Sequence, residues 1–477
     1  MSLATITGAQ ALGDLRGCKL LFSGFHAPEL GRIEEFRNAI LTLGDDGTIL
    51  SVEHDGDPEG AIPLPEGWVL IPGLVDLHVH APQYAQLGTA LDVPLEDWLQ
   101  TYTFPLEARF ADLDYAAEVY SALIDDMLAL GTTTALHFAT IHVPATQKLA
   151  EICLAKGQRA LVGKVAMDDP AQCPPDYRDS TAQDAVEGTR AVIDHINGLP
   201  DNNGMVFPVI TPRFVPSCTD ACLEGLGKLA TESGAHIQSH ISESDWQHGY
   251  VKDRCGCSDA QAFERFGLLR DNAVFAHGTH LSDSDLDLMA QNGAAVAHCP
   301  LSNVYFSGAV FPLRKALERG LDVGFGSDVS GGPTASMWET ARMGISASRI
   351  RESGVEAAQP VERRGSGDKH IDFREAFYIA TRGGGAALGL PVGAFVQGMK
   401  FDAIAINTLE PAGTVRIWPE GKTEASNDLL LEKLLYTVSK PNIAGVWTDG
   451  MNRLQKKTGI TAVYKASMTA SISGIQF

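Results

Sequence analysis

Eight short β-branched runs recur between residues 73 and 390, each followed by a polar tip and then by a stretch long enough for a helix. They are LVDLHVH (74–80), TTTALHF (132–138), ALVGKVAMD (160–168), VFPVITPRF (206–214), AHIQSH (235–240), NAVFAHG (272–278), AAVAHCP (294–300) and LDVGFGSD (321–328). Strands alternating with helices read as a parallel sheet, and eight such units suggest a closed (β/α)₈ barrel. The connections YAAEVYSALIDDMLALG (115–131) and TDACLEGLGKLATESG (219–234) carry apolar residues at helical spacing and finish on glycine. Other α/β folds can give the same count. The barrel is favoured because His80, Arg213, His240, His277 and Asp328 close their strands, the end at which barrel active sites are built.

Residues 1–72 have a different texture, with the strand-like pieces CKLLFSG, AILTLG and TILSVEH separated by Gly and Asp turns. FDAIAIN (401–407) and NIAGVWTDGM (442–451) share it near the other end. The expected architecture is a TIM barrel over 73–390 inserted into a small β-sandwich built from 1–72 and from 391–477, the latter ending in a tail. A chain of 477 residues exceeds what one hydrophobic core usually serves, in keeping with two units.

Composition narrows the partners. Lys and Arg number 37 against 59 Asp and Glu, a net charge of -22 that repels a polyanion and argues against a nucleic-acid polymer as substrate. No segment reaches the roughly 20 apolar residues of a membrane span. MSLATITGAQ lacks the basic stretch and apolar run of a secretory leader, so a cytoplasmic protein without a membrane partner is expected. Eight cysteines are too sparse for a disulfide scaffold at this length, and Cys255 with Cys257 has no second pair to complete a zinc ribbon. The PCxxC pair of the zinc deaminases that act on bases in nucleic acids is absent.

Alternate side chains of a strand face the same way, so Asp76, His78 and His80 are expected to point together. A lone HxH fits hydrogen-bonded core histidines as well as it fits a metal site. Histidine or carboxylate also ends the fifth, sixth and eighth strands, at His240, His277 and Asp328, and this coincidence favours a metal. Imidazole and carboxylate suit Zn²⁺ or Fe²⁺, and the ligand types do not choose between them.

Through PGLVDLHVH (72–80), SHISE (239–243), AHG (276–278) and GSD (326–328), the chain resembles the amidohydrolase superfamily over nearly its whole length. The resemblance implies metal ligands at His78, His80, His240 and Asp328. It implies that His277 touches the reactive water and sometimes completes the metal shell. Two-metal members of the superfamily carry a carboxylated lysine near the end of the fourth strand. Here that strand ends in Arg213 and Phe214, and Lys164 in the third run is the only lysine of the eight runs, so the one-metal branch, rich in deaminases, fits better. A bound metal lowers the pKa of water to about 7 and so provides hydroxide to attack an sp² carbon. Glu243, three residues beyond His240, is placed to move protons between that water and a ring nitrogen.

HAPQY (80–84), LEDWLQTYTFPLEARF (95–110), HFATIH (137–142), VGKVAMD (162–168) and TPRF (211–214) are similar to the guanine deaminases within that superfamily. This resemblance implies conversion of guanine to xanthine and ammonia by a homodimer with one divalent metal per chain, Zn²⁺ ahead of Fe²⁺. It also implies that Gln83, Arg213 and Phe214 contact the base, and that Glu243, Asp328 and His277 serve the water. Arg213 suits a keto oxygen because a guanidinium only donates. Alternatives are deamination of another purine, a pterin or a pyrimidine, hydrolysis of a cyclic amide, and a scaffold without activity. His26, His54, His195, His248 and His370 lie outside the strand tips and read as ordinary histidines. His298 and Asn303 read as supports behind a full ligand set.

Overall fold

The computed structural model describes residues 12–418 and 428–454; the opening MSLATITGAQ and the tail beyond residue 454 lie outside the described residues. Strands β1 (Lys19–Glu29), β2 (Arg32–Leu43), β3 (Ile49–Glu53), β4 (Ile62–Pro63) and β5 (Trp68–Pro72) come first. The barrel follows as β6 (Leu74–His80), β7 (Thr132–Phe138), β8 (Arg159–Gly163), β9 (Val165–Ala166), β10 (Val206–Pro212), β11 (His236–Ile241), β12 (Ala273–His277), β13 (Ala295–His298) and β14 (Val323–Phe325). β15 (Ala403–Asn407), β16 (Ile443–Thr448) and β17 (Met451–Asn452) return to the first sheet. Each of the eight expected runs contains a strand. The third is interrupted at Lys164, and its two pieces, β8 and β9, both pair with β10.

The barrel strands run parallel in the order β6-β7-β8-β10-β11-β12-β13-β14. The circle closes between β14 and β6, where Asp328 N–H donates to His78 O at 2.8 Å and His80 N–H donates to Val329 O at 3.0 Å. Val75, Leu77, Leu136, Leu161, Val209 and Val274 pack inside, with Leu388 and Leu390 joining the same cluster. Leu388 meets the start of β11, its carbonyl 3.0 Å from His236 Nε2.

Helices cover the outside, and their ends follow local chemistry. Helix Leu113–Ala129 begins where the Asp112 carboxylate accepts from the N–H groups of Asp114 and Tyr115, and helix Asp220–Ser233 where Thr219 accepts from Cys222 N–H. Helices Val143–Lys156 and Asp220–Ser233 stop at Gly157 and Gly234, whose left-handed backbone glycine adopts at no steric cost.

The flanking strands form one continuous sheet, ordered β17-β16-β15-β5-β1-β2-β3, curled on its own cluster of Phe22, Phe36, Leu70, Phe401 and Trp447. Both ends of the chain contribute to it, as expected. Its joint with the barrel is a buried ionic network. Arg159 of β8 donates to Asp402 Oδ2 at 3.0 Å, to Asp402 Oδ1 at 3.2 Å and to Asp449 Oδ1 at 2.6 Å.

Arg159 and Asp402 are 3% and 2% exposed, so removing one partner strands a charge in the interior. Asp402→Ala is therefore expected to cost about 3–5 kcal/mol, read from urea unfolding. A loss of about 1 kcal/mol or less, the range of exposed pairs, would show that this network does not hold the joint.

Candidate metal centre and active site

β6 and β7 lose register between Asp76 and Val79, where β6 advances three residues and β7 only two, from Ala135 to His137. An extra residue in one strand makes a bulge, and a bulge re-aims side chains. Val75 and Leu77 therefore share the interior, while His80, beyond the bulge, lines the pocket at the mouth of the barrel and His78, within the bulge, lies beside it with ring centroids 4.8 Å apart. Asp76 does not join them. Its Oδ1 accepts from His78 N–H at 3.2 Å and from Ser327 N–H at 2.9 Å, so the carboxylate clasps backbone instead of facing the site. Strict alternation, from which a common face for all three was expected, does not survive the bulge.

The other candidates converge. His80 Nε2 and His240 Nε2 face each other at 2.9 Å, and Asp328 Oδ1 lies 3.2 Å from His78 Nε2 and 3.7 Å from His80 Nε2. His240 Nδ1 donates to Arg213 O at 2.5 Å, which turns the lone pair of its Nε2 toward the cluster. His277 Nδ1 is held in the same way by Asn303 Oδ1 at 2.9 Å. The Nε2 of His277 then sits 3.7 Å from Glu243 Oε1 and 3.9 Å from Asp328 Oδ2. His277 and Asp328 hold left-handed backbone, with φ of 77° and 49°. Such conformations cost on the order of 1–3 kcal/mol each and persist only where the surroundings impose them.

Burial lowers the pKa of His78, His80 and His240, so their imidazoles are neutral and keep their lone pairs. Burial works against the charge of Asp328 as well, but the adjoining imidazoles, His78 above all, hold its carboxyl well below the usual range. Glu243 is shifted the other way, upward, chiefly by burial. Burial likewise pushes Asp76 up to about 7. Neutral nitrogens that confront one another, one carboxylate, and a His78 Nε2 with no hydrogen-bond partner fit a divalent cation. Among the described residues, a second possible group, His78, His277 and Cys299, overlaps the first. Burial keeps the Cys299 thiol protonated, and it donates to Ala297 O at 3.4 Å, so the histidines with Asp328 make the better ligand set. Lys164 is no part of it, since its Nζ is taken by Asp179 Oδ1 at 2.7 Å and Val165 O at 2.9 Å.

Beside the cluster lies a pocket reached by Gln83, Arg213, Phe214 and Glu243. Arg213 is 2% exposed, and a fully buried residue absent from the sequence-based candidates, Glu107, pairs with it. Arg213 Nη1 donates to Glu107 Oε2 at 2.6 Å and Nη2 to Oε1 at 3.2 Å, while Gln83 Nε2 donates to Oε1 at 2.8 Å. Glu107 sits in Phe104–Ala108, which follows the helical turns Leu95–Trp98 and Leu99–Thr103. Leu95, Trp98 and Leu99 line the pocket together with Phe306, whose ring is 5.0 Å from that of Trp98. Sequence reasoning singled out the segment 95–110 for its likeness, yet no spacing rule marks Glu107 or these apolar walls within it.

The histidines expected to be ordinary lie elsewhere. His26 bonds Glu34 at 2.8 Å, and His370 bonds Glu352 at 2.5 Å. His298 is buried between Phe311 and Phe325 and is pushed down to about 3 by that burial. Asn303 supports His277 from behind, as expected.

A family model described as "Amidohydrolase family" matches residues 69–452. The chain is 34% identical over 456 residues to a guanine deaminase of Dictyostelium discoideum, covering 90% of this chain and 97% of that one. It is also 34% identical to a guanine deaminase of Homo sapiens, over 88% of this chain and 92% of the other. Among solved structures, a guanine deaminase from C. acetobutylicum with guanine bound in its active site superposes with a TM-score of 0.82 at 32% identity, over 91% of this chain and 99% of that chain.

Among the described residues the possible ligand groups share His78, and Lys164 is held away by Asp179, an arrangement for which one ion is expected. Elemental analysis of the purified protein is expected to return close to one divalent ion per chain, and His78→Ala or Asp328→Ala to empty the site, because so few ligands do not tolerate the loss of one. Two tightly bound ions in the wild type would count against this arrangement.

Proposed function

The chain belongs to the amidohydrolase family, and from that premise we propose that it hydrolyses guanine to xanthine and ammonia. The observation that carries this reading is Arg213, a buried guanidinium at the tip of β10 whose side chain reaches the pocket while its carbonyl orients His240. His78, His80, His240 and Asp328 are proposed to hold a divalent cation, Zn²⁺ before Fe²⁺. When bound, that cation supplies Lewis acidity and lowers the pKa of water to about 7.

The residues of the chain carry the protons. Asp328, held ionised, and Glu243 draw a proton from the water that attacks carbon 2 of the ring. His277 Nε2, its lone pair directed inward by Asn303, accepts a hydrogen bond from the same water. Glu243, whose raised pKa suits it to carry a proton, delivers it to ring nitrogen 3. The remaining proton, on the hydroxyl now bonded to carbon 2, passes by way of the Asp328 and Glu243 carboxylates to the exocyclic amine, and ammonia leaves as carbon 2 becomes a carbonyl. Arg213 donates to the ring's keto oxygen, Gln83 bonds the ring edge, and Phe214 packs against the face.

Eight free cysteines accord with a reducing compartment, and no helix among the described residues is long and apolar enough to cross a membrane. The proposal therefore extends to a cytoplasmic setting, and by the family likeness to a homodimer.

Incubation of the purified protein with guanine, following xanthine formation and ammonia release, tests the reading directly. Glu243→Gln is expected to keep its metal and to lose turnover by about 10²–10⁴. Near-full activity or an emptied site in that variant would show the proton role to be misassigned.

Selectivity is the sharper test. Adenine sets an amino donor where Arg213 offers only donors, and a site built for hydrogen bonding discriminates against such a mismatch by about 10⁴ or more. Arg213→Lys keeps the charge but not the fork, and should lower kcat/KM for guanine roughly ten-fold to a hundred-fold. An unchanged ratio of guanine to adenine efficiencies in Arg213→Ala would remove Arg213 as the reader of the base.

A further inference from the structure

Two side chains proposed to read the base meet on one buried carboxylate that reaches neither the ring nor the cation site. Glu107 has 0% exposure, and both of its oxygens are engaged. Gln83 is gripped from its other end too, because its Oε1 accepts from Ser330 N–H at 3.2 Å. The amide thus lies between an acceptor and a donor. Turning it over would set oxygen against carboxylate and N–H against N–H, so one orientation alone is tolerated. Gln83 is left with one N–H and one lone pair for a ligand. Arg213 has five donors, of which Glu107 takes two, and its guanidinium is flanked by Phe104 at 4.8 Å from the ring centroid.

Charge matters as much as direction. A bare guanidinium in a buried pocket would be an anion site, but Arg213 is offset by Glu107 at 2.6 Å. The remaining ionisable carboxyl groups on the pocket wall are those of Glu243 and Asp328. We propose that Glu107 is a positioning residue that sets selectivity from behind: it fixes the amide of Gln83 and neutralises Arg213, so that the pocket takes a neutral keto-bearing ring and turns away the anion of the same ring.

This deepens the guanine reading and rests on it. Replacing the amine of guanine by a second carbonyl makes xanthine the stronger acid, since the added carbonyl withdraws electrons from the ring N–H groups on either side of it. The product therefore ionises in a pH range where the substrate stays neutral. With Arg213 offset, the ionised product gains no compensating charge at the base-reading end of the pocket and leaves. Glu107 in this way couples recognition of the substrate to release of the product.

The test is steady-state kinetics of the metal-loaded wild type, Glu107→Gln and Glu107→Asp, with guanine as substrate and xanthine as inhibitor, from neutral to alkaline pH. In Glu107→Gln the charge of Arg213 is uncovered and Gln83 is free to turn. Its kcat/KM for guanine should fall about ten-fold to a hundred-fold, mainly through KM, and xanthine should inhibit at least about ten-fold more tightly on the alkaline side. Glu107→Asp keeps the charge but is one methylene short, so KM should rise while inhibition by xanthine stays as weak as in the wild type. A merely structural lesion lowers the active fraction and tightens nothing. A folded, metal-bound Glu107→Gln with the wild-type profile of xanthine inhibition overturns the inference. If that variant does not fold, Glu107→Asp decides alone, and a wild-type KM there overturns it. Failure of the wild type to turn over guanine defeats the substrate reading itself, a result distinct from any difference among the variants.

Discussion

Two backbone hydrogen bonds, from Asp328 N–H to His78 O and from His80 N–H to Val329 O, join the segment that leaves the last barrel strand to the end of the first. They are at once the closure of the barrel and the frame of the metal centre, because three of the four residues that make them are candidate ligands. His78, His80, Asp328 and Val329 are buried, so their backbone groups have no water to fall back on and these bonds are costly to leave unmade. Asp76 strengthens the same seam by accepting from Ser327 N–H. The left-handed backbone of Asp328 is imposed here, where closure and ligand geometry coincide.

Electrostatics at the mouth of the barrel follow from burial. Burial drives the imidazoles of His78, His80 and His240 to the neutral form that ligates, and the carboxyl of Asp328, which burial alone would raise, is held down by its neighbours, His78 above all. The same burial requires that the cation of Arg213 have a partner, and Glu107 supplies it from a segment that crosses the pocket wall. A strongly acidic chain thus carries a site that is locally balanced, with each buried charge answered by a neighbour.

What could be read in the residues beforehand was whatever a periodicity or a strand tip marks. The eight runs each contain a strand, and the HxH pair, His240 and His277 lie at or next to strand ends, as rules that involve nearest neighbours along one strand put them, while Asp328 stands three residues beyond the end of β14. The orientation of Asp76 was not legible, since it depends on a bulge produced by register with β7, a relation between two strands 59 residues apart at the Leu74 O to Thr133 contact. Glu107 escaped for a related reason. Its importance comes from Arg213, 106 residues away in sequence, and nothing within a helical turn distinguishes a buried carboxylate from a solvated one. The split of the third strand at Lys164 reflects a side chain that leaves the sheet to reach Asp179, again a tertiary pairing.

The chemistry and the enclosure of the pocket are carried by common segments. Asn303, whose Oδ1 fixes the tautomer of His277, begins the turn Asn303–Ser307. Phe306 on that turn closes the pocket against Trp98. On the opposite wall, Trp98 and Glu107 belong to successive helical turns, interrupted by a π-type turn at Leu99–Thr103, a distortion that recurs at functional sites because it displaces the side chains after it. Each wall therefore carries an apolar residue that keeps water out and a polar one that aims a working side chain. Dryness strengthens every hydrogen bond and ion pair inside the pocket, while the aimed groups need that strength to discriminate between bases. Setting both duties on one continuous segment of each wall ties the enclosure of the pocket to the orientation of His277, Gln83 and Arg213.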